Sequence, residues 1–89
     1  MSSKDAFLSS LTPGERIIVE QVAFGGTNEE IATVLFRSVS VVKFHLSNAF
    51  KKLDLDTRTQ LVAEYWQSVL RDAEADRDHA LAELEKATA

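Results

Sequence analysis

The 89-residue sequence has no cysteine, a single proline and three glycines, and it has no long apolar run. The absence of cysteine excludes disulfide bonds and thiolate metal sites. No apolar run approaches the roughly 20 residues of a membrane span, and residues 1–10 lack the apolar core of a secretory signal. We therefore expect no membrane association and, by default, a cytoplasmic protein.

Catalytic patterns are missing from the sequence as well. The two histidines, His45 and His79, are far apart, and no nucleophile–base pair or phosphate-binding loop accompanies them. His79 lies near two aspartates, which is more typical of an exposed helix than of a metal site. We predict that the chain is not an enzyme and has no cofactor or metal, and no motif indicates a small-molecule ligand.

Charge is distributed unevenly along the chain, whose net charge is −4. Residues 1–60 hold seven basic and seven acidic groups, whereas residues 61–89 hold three basic and seven acidic groups. Residues 35–53 carry four basic side chains and no acidic one. A basic segment in an acidic protein is typical of a surface that meets phosphate groups, while the acidic end can equally be a solvated helix.

Capping patterns divide the chain into four predicted helices, and no strand pattern occurs. Capping boxes, in which threonine precedes glutamate or glutamine by three residues, begin at Thr12, Thr27 and Thr57. The glycine pair at 25–26 ends the first helix, and Ser38 caps the third. No glycine or proline follows residue 58, so the fourth helix is long. We predict an all-α domain of four helices, preceded by a flexible N-terminus at 1–10.

The second and third predicted helices are joined by only about three residues, so they must cross at a steep angle. The third helix has an apolar face with 4-3-4 spacing, formed by Val42, Leu46, Ala49 and Leu53. Its other face carries basic and hydroxyl side chains. This arrangement indicates a helix-turn-helix unit whose last helix docks on a core and presents a basic face outward.

Residues 11–62 resemble the LuxR-type helix-turn-helix domain of bacterial transcription regulators. The matching positions occur in order and without a gap: Leu11-Thr12-Pro13, Glu15-Arg16, Gly25, Asn28, Glu30-Ile31-Ala32, Ser38, Val42-Lys43, His45-Leu46, Lys52-Leu53 and Arg58. The resemblance implies a four-helix domain that binds double-stranded DNA, usually as a dimer, with the third helix in the major groove and the fourth at the dimer contact. Most members attach this domain to a receiver or ligand-binding domain, and the chain resembles the stand-alone members. We place the domain at 11–66 and an extension of the fourth helix at 67–89.

The exposed side of the third helix is the predicted DNA-reading surface. The resemblance places base contacts at Lys43, Phe44 and Ser47, and a lysine can donate to guanine acceptors in the major groove. Predicted phosphate contacts surround these positions: Arg37, Ser38, Ser40, His45, Lys51 and Lys52. For His45 the alternative is a half-buried residue with a local hydrogen bond, and for the last two lysines it is a solvated helix end.

Several residues on or near this surface depart from the family pattern. Val39, Val41 and Phe44 are more apolar than usual, and Glu29 replaces a residue that is often basic. Lost phosphate donors and added charge repulsion weaken DNA binding, although Phe44 can press on a thymine methyl. The sequence therefore leaves two functions open. The first is a small DNA-binding transcription regulator, and the alternative is a helix-turn-helix fold used as a protein-interaction module that pairs with another regulator.

The fourth predicted helix carries the expected homodimer contact. Val62, Trp66, Val69 and Ala73 follow a 4-3-4 spacing, and Leu70 adjoins them. We expect Trp66, Val69 and Leu70 to lie beyond the reach of the small core and to meet a second chain. Past Ala73 the apolar stripe is alanine-rich and interrupted by charges, so this segment either extends a weak antiparallel or parallel pair or projects into solvent.

Overall fold

The computed structural model describes residues 1–88, with side chains through residue 86. Five helices follow one another: α1 (Ser3–Leu8), α2 (Pro13–Ala23), α3 (Asn28–Leu35), α4 (Val39–Leu53) and α5 (Arg58–Thr88). The described residues contain no strand, and the predicted all-α class is confirmed. The last position of the predicted 67–89 extension lies outside the described residues.

The three predicted capping boxes are all present, and they explain where α2, α3 and α5 begin. Thr12 and Glu15 exchange hydrogen bonds of 3.2 and 3.0 Å at the start of α2. Thr27 and Glu30 do the same at α3 with two bonds of 3.2 Å. At α5 the Gln60 side chain accepts from the backbone N–H of Thr57 at 3.0 Å. Each box satisfies N–H groups that the first helical turn leaves without intrahelical partners.

The helix α1 corrects the expectation of a flexible N-terminus and raises the helix count from four to five. The Ser2 side chain caps it by accepting from the backbone N–H of Asp5 at 3.0 Å. Leu8, at its end, is fully buried. The backbone N–H groups of Ser3 and Lys4 donate to the Asp72 carboxylate at 2.6 and 3.1 Å. A six-residue helix is too short to show periodicity, and its partner Asp72 lies almost 70 residues away, so no pattern in the sequence predicted α1.

The contact between α1 and Asp72 also shows that the domain extends along α5 as far as residue 72. Partial burial alone raises the pKa of Asp72, but the hydrogen bonds from Lys4 and Ser3 outweigh it and hold the pKa below its usual value. The carboxylate is therefore charged at neutral pH and compensates the partial positive charge at the start of α1.

The core lies where α2, α4 and α5 meet, and α1 and α3 cover it. Fully buried apolar side chains come from all five helices and include Leu8, Val19, Ile31, Val42 and Leu61. The predicted apolar face of α4 is confirmed, since Val42, Leu46 and Ala49 are all buried and Leu53 packs against them. This packing fixes which side of α4 remains outside.

A three-residue connection joins α3 to α4, as the sequence predicts. Phe36 ends α3 in the left-handed conformation, with φ of 55°. The backbone N–H of Arg37 returns to the carbonyl of Ala32 at 2.9 Å. Ser38 then caps α4 by accepting from the backbone N–H of Val41 at 3.2 Å. The chain thus passes from α3 to α4 in three residues, which is the short connection of a helix-turn-helix unit.

The first half of α5 packs on the domain, and the expectation that Val69 lies beyond the core is wrong, whereas Trp66 contacts α2 but stays 40% exposed. The indole N–H of Trp66 donates to the Ala23 carbonyl at 2.8 Å, and its ring meets Phe24 edge-on at 5.4 Å. Val69 packs against the buried cluster. Leu70 is 57% exposed, as expected, and Ala73 is exposed too. The core is larger than predicted because α1, which no sequence pattern indicated, adds Leu8 to it.

The second half of α5 projects from the domain. Residues 73–86 are all exposed, and the molecule measures 59 × 25 × 21 Å along its principal axes. Within the described part of the chain, no helix is both long and apolar enough to cross a membrane.

Candidate nucleic-acid interface

The side of α4 opposite the core presents the three predicted base-contacting side chains together. Lys43, Phe44 and Ser47 are all exposed, and Phe44 retains 64% of its accessible surface. Ser40 and Lys51 are exposed one turn before and one turn after them. Because α4 is anchored by its buried face, this row of side chains is held on a rigid helix. The major groove of B-DNA is wide enough to admit an α-helix such as α4.

The N-terminal end of α4 supplies a second feature suited to phosphate. The start of a helix carries partial positive charge and exposed N–H donors. Ser38 and Ser40 are both exposed at this end. The Ser38 oxygen accepts from the backbone of its own helix, so its hydroxyl hydrogen remains available as a donor. Arg37, exposed directly before them, adds a full charge.

The two lysines at the other end of α4 have different surroundings. Lys51 is exposed and lines an open groove together with Lys43 and Ser47, beside α4 and the loop that follows it. Lys52 instead points to α2, where its Nζ lies 2.6 Å from Oε1 of Glu15. The structure therefore gives Lys52 an internal role, and among the predicted phosphate contacts it is the one already occupied by a carboxylate.

Lys52 compensates the negative charge of Glu15, whose carboxylate is buried. The Glu15 side chain is only 4% exposed, and the same oxygen that meets Lys52 also accepts from the backbone N–H of Thr12 at 3.0 Å. The hydrogen bond from Lys52, and next to it that from the Thr12 backbone, lowers the pKa of Glu15 despite its burial. A capping box at the start of α2 is thus tied to the last turn of α4.

His45 lies half-buried between α4 and α2. A Cβ atom built on Gly14 would be 3.8 Å from His45 Cε1, which is ordinary contact. Phe44 meets the imidazole edge-on, with 5.7 Å between ring centroids. His45 and Arg37 border a small, mostly apolar cavity of about 220 Å³ whose walls include Ile17 and Leu35. These contacts favour the half-buried interpretation of His45, with only its outer edge available to a ligand.

Asp54 and Asp56 border the groove beside Lys51, and no motif in the sequence indicated a role for them. Asp54 ends α4 in the left-handed conformation, with φ of 55°. Both carboxylates are exposed and repel phosphate by the same Coulomb interaction that attracts the lysines. Their position limits the basic face to the part of α4 that precedes them.

Arg58 is a second residue whose role the sequence did not reveal. Its guanidinium donates to the Asn28 side-chain oxygen at 2.9 Å and to the Gly26 carbonyl at 2.6 Å. The first residue of α5 thereby fixes the connection between α2 and α3. Gly25, Asn28 and Arg58 all match the family pattern, which was a signal that these positions matter. The pattern could not show that Arg58 bonds to Asn28 and to the neighbouring Gly26.

The described residues contain no cluster of histidine and acidic side chains able to hold a metal ion. The fold and the exposed basic helix define the chain as a helix-turn-helix protein. The family model for bacterial regulatory proteins of the LuxR family (GerE) matches residues 9–65. The chain belongs to this family, which consists of regulators and not of enzymes.

Similar proteins carry regulatory names. The monoamine regulon transcriptional regulator of Klebsiella aerogenes is 41% identical over 66 residues, 74% of this chain and 29% of that protein. The CsgBAC operon transcriptional regulatory protein of Escherichia coli is 45% identical over 53 residues, 60% of this chain and 24% of that protein. LiaR of Bacillus subtilis is 45% identical over 51 residues, 57% of this chain and 24% of that protein. The chain thus spans less than a third of these relatives. No solved structure gives a significant match.

Proposed function

We propose that the chain is a DNA-binding transcription regulator that inserts α4 into the major groove. The observation that carries this proposal is the anchored α4, whose outer face presents Lys43, Phe44 and Ser47 side by side. The regulatory names of the relatives support it, because the similarity includes this helix. Base contacts are assigned to these three side chains.

Phosphate contacts are assigned to the polar groups that surround the three base-contacting side chains: Arg37, Ser38, Ser40, Lys51 and the outer edge of His45. Lys52 is left out because its ammonium group is bound to Glu15. Phosphate contacts position the protein on the duplex, whereas base contacts select the sequence. The apolar Phe44 fits a thymine methyl group, so we expect A·T pairs within the preferred half-site.

Lys43→Ala is the variant that tests the proposal. We expect it to weaken binding to the preferred sequence by about tenfold and to relax base preference at one position, because one major-groove donor is lost. Selection from random genomic fragments, followed by salt-titrated binding, measures both. Lys86→Ala is the matched control, since it removes the same charge from the exposed end of α5 and leaves affinity unchanged.

The alternative function is supported by the apolar character of the same surface. Phe44 is 64% exposed and Val41 is 37% exposed at the leading end of α4, and both sites can bind a protein instead of DNA. If the wild-type chain selects no sequence and shows no binding even at low salt, the DNA proposal is refuted. The interaction module that pairs with another regulator then remains.

We also propose that the regulator is a homodimer that contacts its copy through α5 and binds two half-sites about one helical turn apart. Leu70 is the main side chain of the proposed dimer contact, because it is 57% exposed and lies one turn after Trp66, which pairs with Phe24. Trp66 and Ala73 are kept in the contact, while Val62 and Val69 pack mainly on their own domain.

Leu70→Glu is expected to convert the dimer to monomers in sedimentation experiments while the domain stays folded, since the side chain is largely outside the core. Its unfolding temperature should fall only by the stabilisation that the dimer adds. Val34→Glu introduces the same charge at an apolar side chain that is 59% exposed on α3, and it should leave the dimer intact. A Leu70→Glu protein that sediments as the wild-type dimer would exclude this contact.

A further inference from the structure

We propose that α1 is a releasable clamp on α5. When α1 detaches, α5 loses its helical order from residue 67 onward, while the rest of the domain stays folded. Asp72 is the residue that keeps the clamp closed. This conformational change goes beyond the proposed function, because it requires neither DNA nor a second copy of the chain. Both parts of the clamp, α1 and residues 67–72, lie outside the family match at 9–65.

The clamp is defined by the two ends of α1. At its start, the backbone N–H groups of Ser3 and Lys4 donate to the Asp72 carboxylate at 2.6 and 3.1 Å. At its end, Leu8 is fully buried in the core. A helix of six residues is about 9 Å long, which is the length of roughly six residues of α5. The helix α1 therefore runs back from residue 72 toward the core, along the turns at 67–72.

These turns of α5 have few other attachments to the domain. Among the described residues, the last hydrogen bond from an α5 side chain to α2 comes from Trp66. Ser68 is buried, but its hydroxyl donates to the Tyr65 carbonyl of its own helix. Beyond Trp66, the attachments that remain are the packing of Val69 against the core and the bonds from α1 to Asp72.

The size and exposure of α1 make it able to detach. A helix shorter than about 12 residues is not stable alone in water, so α1 depends on its contacts. Leu8 is its only buried residue. The ion pair between Asp5 and Arg16, at 3.1 Å, is exposed to solvent and contributes little. Elements with few buried contacts open at a lower free energy than the core, so α1 should detach before the domain unfolds.

The projecting part of α5 depends on the turns that α1 covers. Residues 73–86 are exposed along their whole course, so little tertiary packing stabilises their helix. Starting a helix is costly, whereas adding residues to an existing helical turn is not. Residues 67–72 supply the last turns that are attached to the domain. When α1 leaves, these turns gain freedom and the helix beyond them frays.

Amide hydrogen exchange of the full chain tests the clamp in Asp72→Ala, which removes both acceptors of the α1 N–H groups. We expect exchange in α1 and at 67–72 to accelerate by about tenfold. The factor should be the same in both segments, because they open together, and the centre of α4 should not change. Asp76→Ala is the matched control, because it removes the same charge from an exposed position one turn later on α5.

Three results would overturn the proposal. Acceleration in α1 alone would show that α5 keeps its order without the clamp. Equal acceleration in α4 would show that α1 unfolds only with the whole domain, and unchanged exchange in Asp72→Ala would show that the carboxylate holds nothing. Leu8→Ala removes the other end of the clamp and should give the same pattern as Asp72→Ala. Asp72→Asn keeps one acceptor oxygen and should recover part of the protection.

The proposed homodimer is tested separately from the clamp. Leu70 lies in the clamped turns, so Asp72→Ala should also lower the dimer fraction in sedimentation, and this consequence alone rests on the proposed function. Leu70→Glu should lower the dimer fraction without accelerating exchange in α1. The clamp pattern in a protein that is monomeric throughout would support the clamp and refute the dimer. Equal acceleration of α1 by Leu70→Glu and Asp72→Ala would show that dimerisation holds α1 in place, and it would overturn the clamp.

Discussion

Replacing Lys52 with alanine is expected to lower the midpoint of thermal unfolding by about 5–10 °C, whereas Lys51→Ala should leave it unchanged. The two residues are neighbours on α4, but only Lys52 neutralises the buried carboxylate of Glu15, at 2.6 Å. Removing one partner of such a pair leaves a charge with too little compensation, which is strongly destabilising. The partial exposure of Lys52, 37% of its side chain, lets water replace part of the interaction and limits the effect.

In DNA binding we expect the opposite order, with Lys51→Ala having the larger effect and Lys52→Ala the smaller one. At a temperature where both variants are folded, Lys51→Ala should reduce the salt dependence by about one unit of slope, and Lys52→Ala should reduce it by less. Adding Glu15→Gln to Lys52→Ala should restore part of the lost stability, because the isolated charge disappears while an acceptor for the Thr12 N–H remains. Equal unfolding temperatures for Lys51→Ala and Lys52→Ala would show that the pair contributes nothing.

The pH dependence of stability gives this pair a second signature. The pKa of Glu15 is lowered in the folded protein, so its contribution is present above its ordinary value of 4.5 and is lost as the pH falls through the lowered value. The difference in unfolding temperature between wild type and Lys52→Ala should therefore shrink as the pH is lowered below about 4.5. Thermal melts between neutral pH and pH 3 measure it.

Local signals in the sequence predicted much of this fold. The threonine capping boxes and the Ser38 cap act over three residues, so their spacing alone locates the starts of four helices. The face of α4 followed from the spacing of its apolar residues in the same way. What the sequence could not give were contacts between distant positions, such as Asp72 with α1 or Lys52 with Glu15.

In the candidate site, too, local spacing predicted which side chains are exposed but not the contacts between distant positions. The exposure of Lys43 and Ser47 follows from the helical period, once the buried face is known. The assignments of Lys52 and Trp66 to ligand and partner contacts assumed that an amphipathic side chain at the edge of a helix is free. Both side chains bond to groups on α2, Glu15 and Ala23, which no spacing rule identifies, and Trp66 keeps 40% of its surface exposed beside that bond.

Arg58→Ala is expected to cost about 2–3 kcal/mol of unfolding free energy, because charge-assisted hydrogen bonds are among the stronger ones. The variant leaves the Gly26 carbonyl and the Asn28 side chain without the donors that lie 2.6 and 2.9 Å away. These acceptors sit in the connection that begins α3, so the helix that braces α4 loses its fixed starting point. We therefore expect DNA affinity to fall as well, although Arg58 need not touch the duplex.

Urea unfolding measures the stability change, and amide exchange shows where it acts. Exchange should accelerate in the first turn of α3 more than in the core of α4. Arg58→Lys should recover less than half of the loss, because an ammonium group cannot match the planar fork that reaches both oxygens. Arg71→Ala removes an exposed arginine from the same helix and should have little effect. If Arg58→Ala unfolds at the wild-type urea concentration, the two hydrogen bonds do not hold the connection, and the position of α3 depends on its apolar contacts alone.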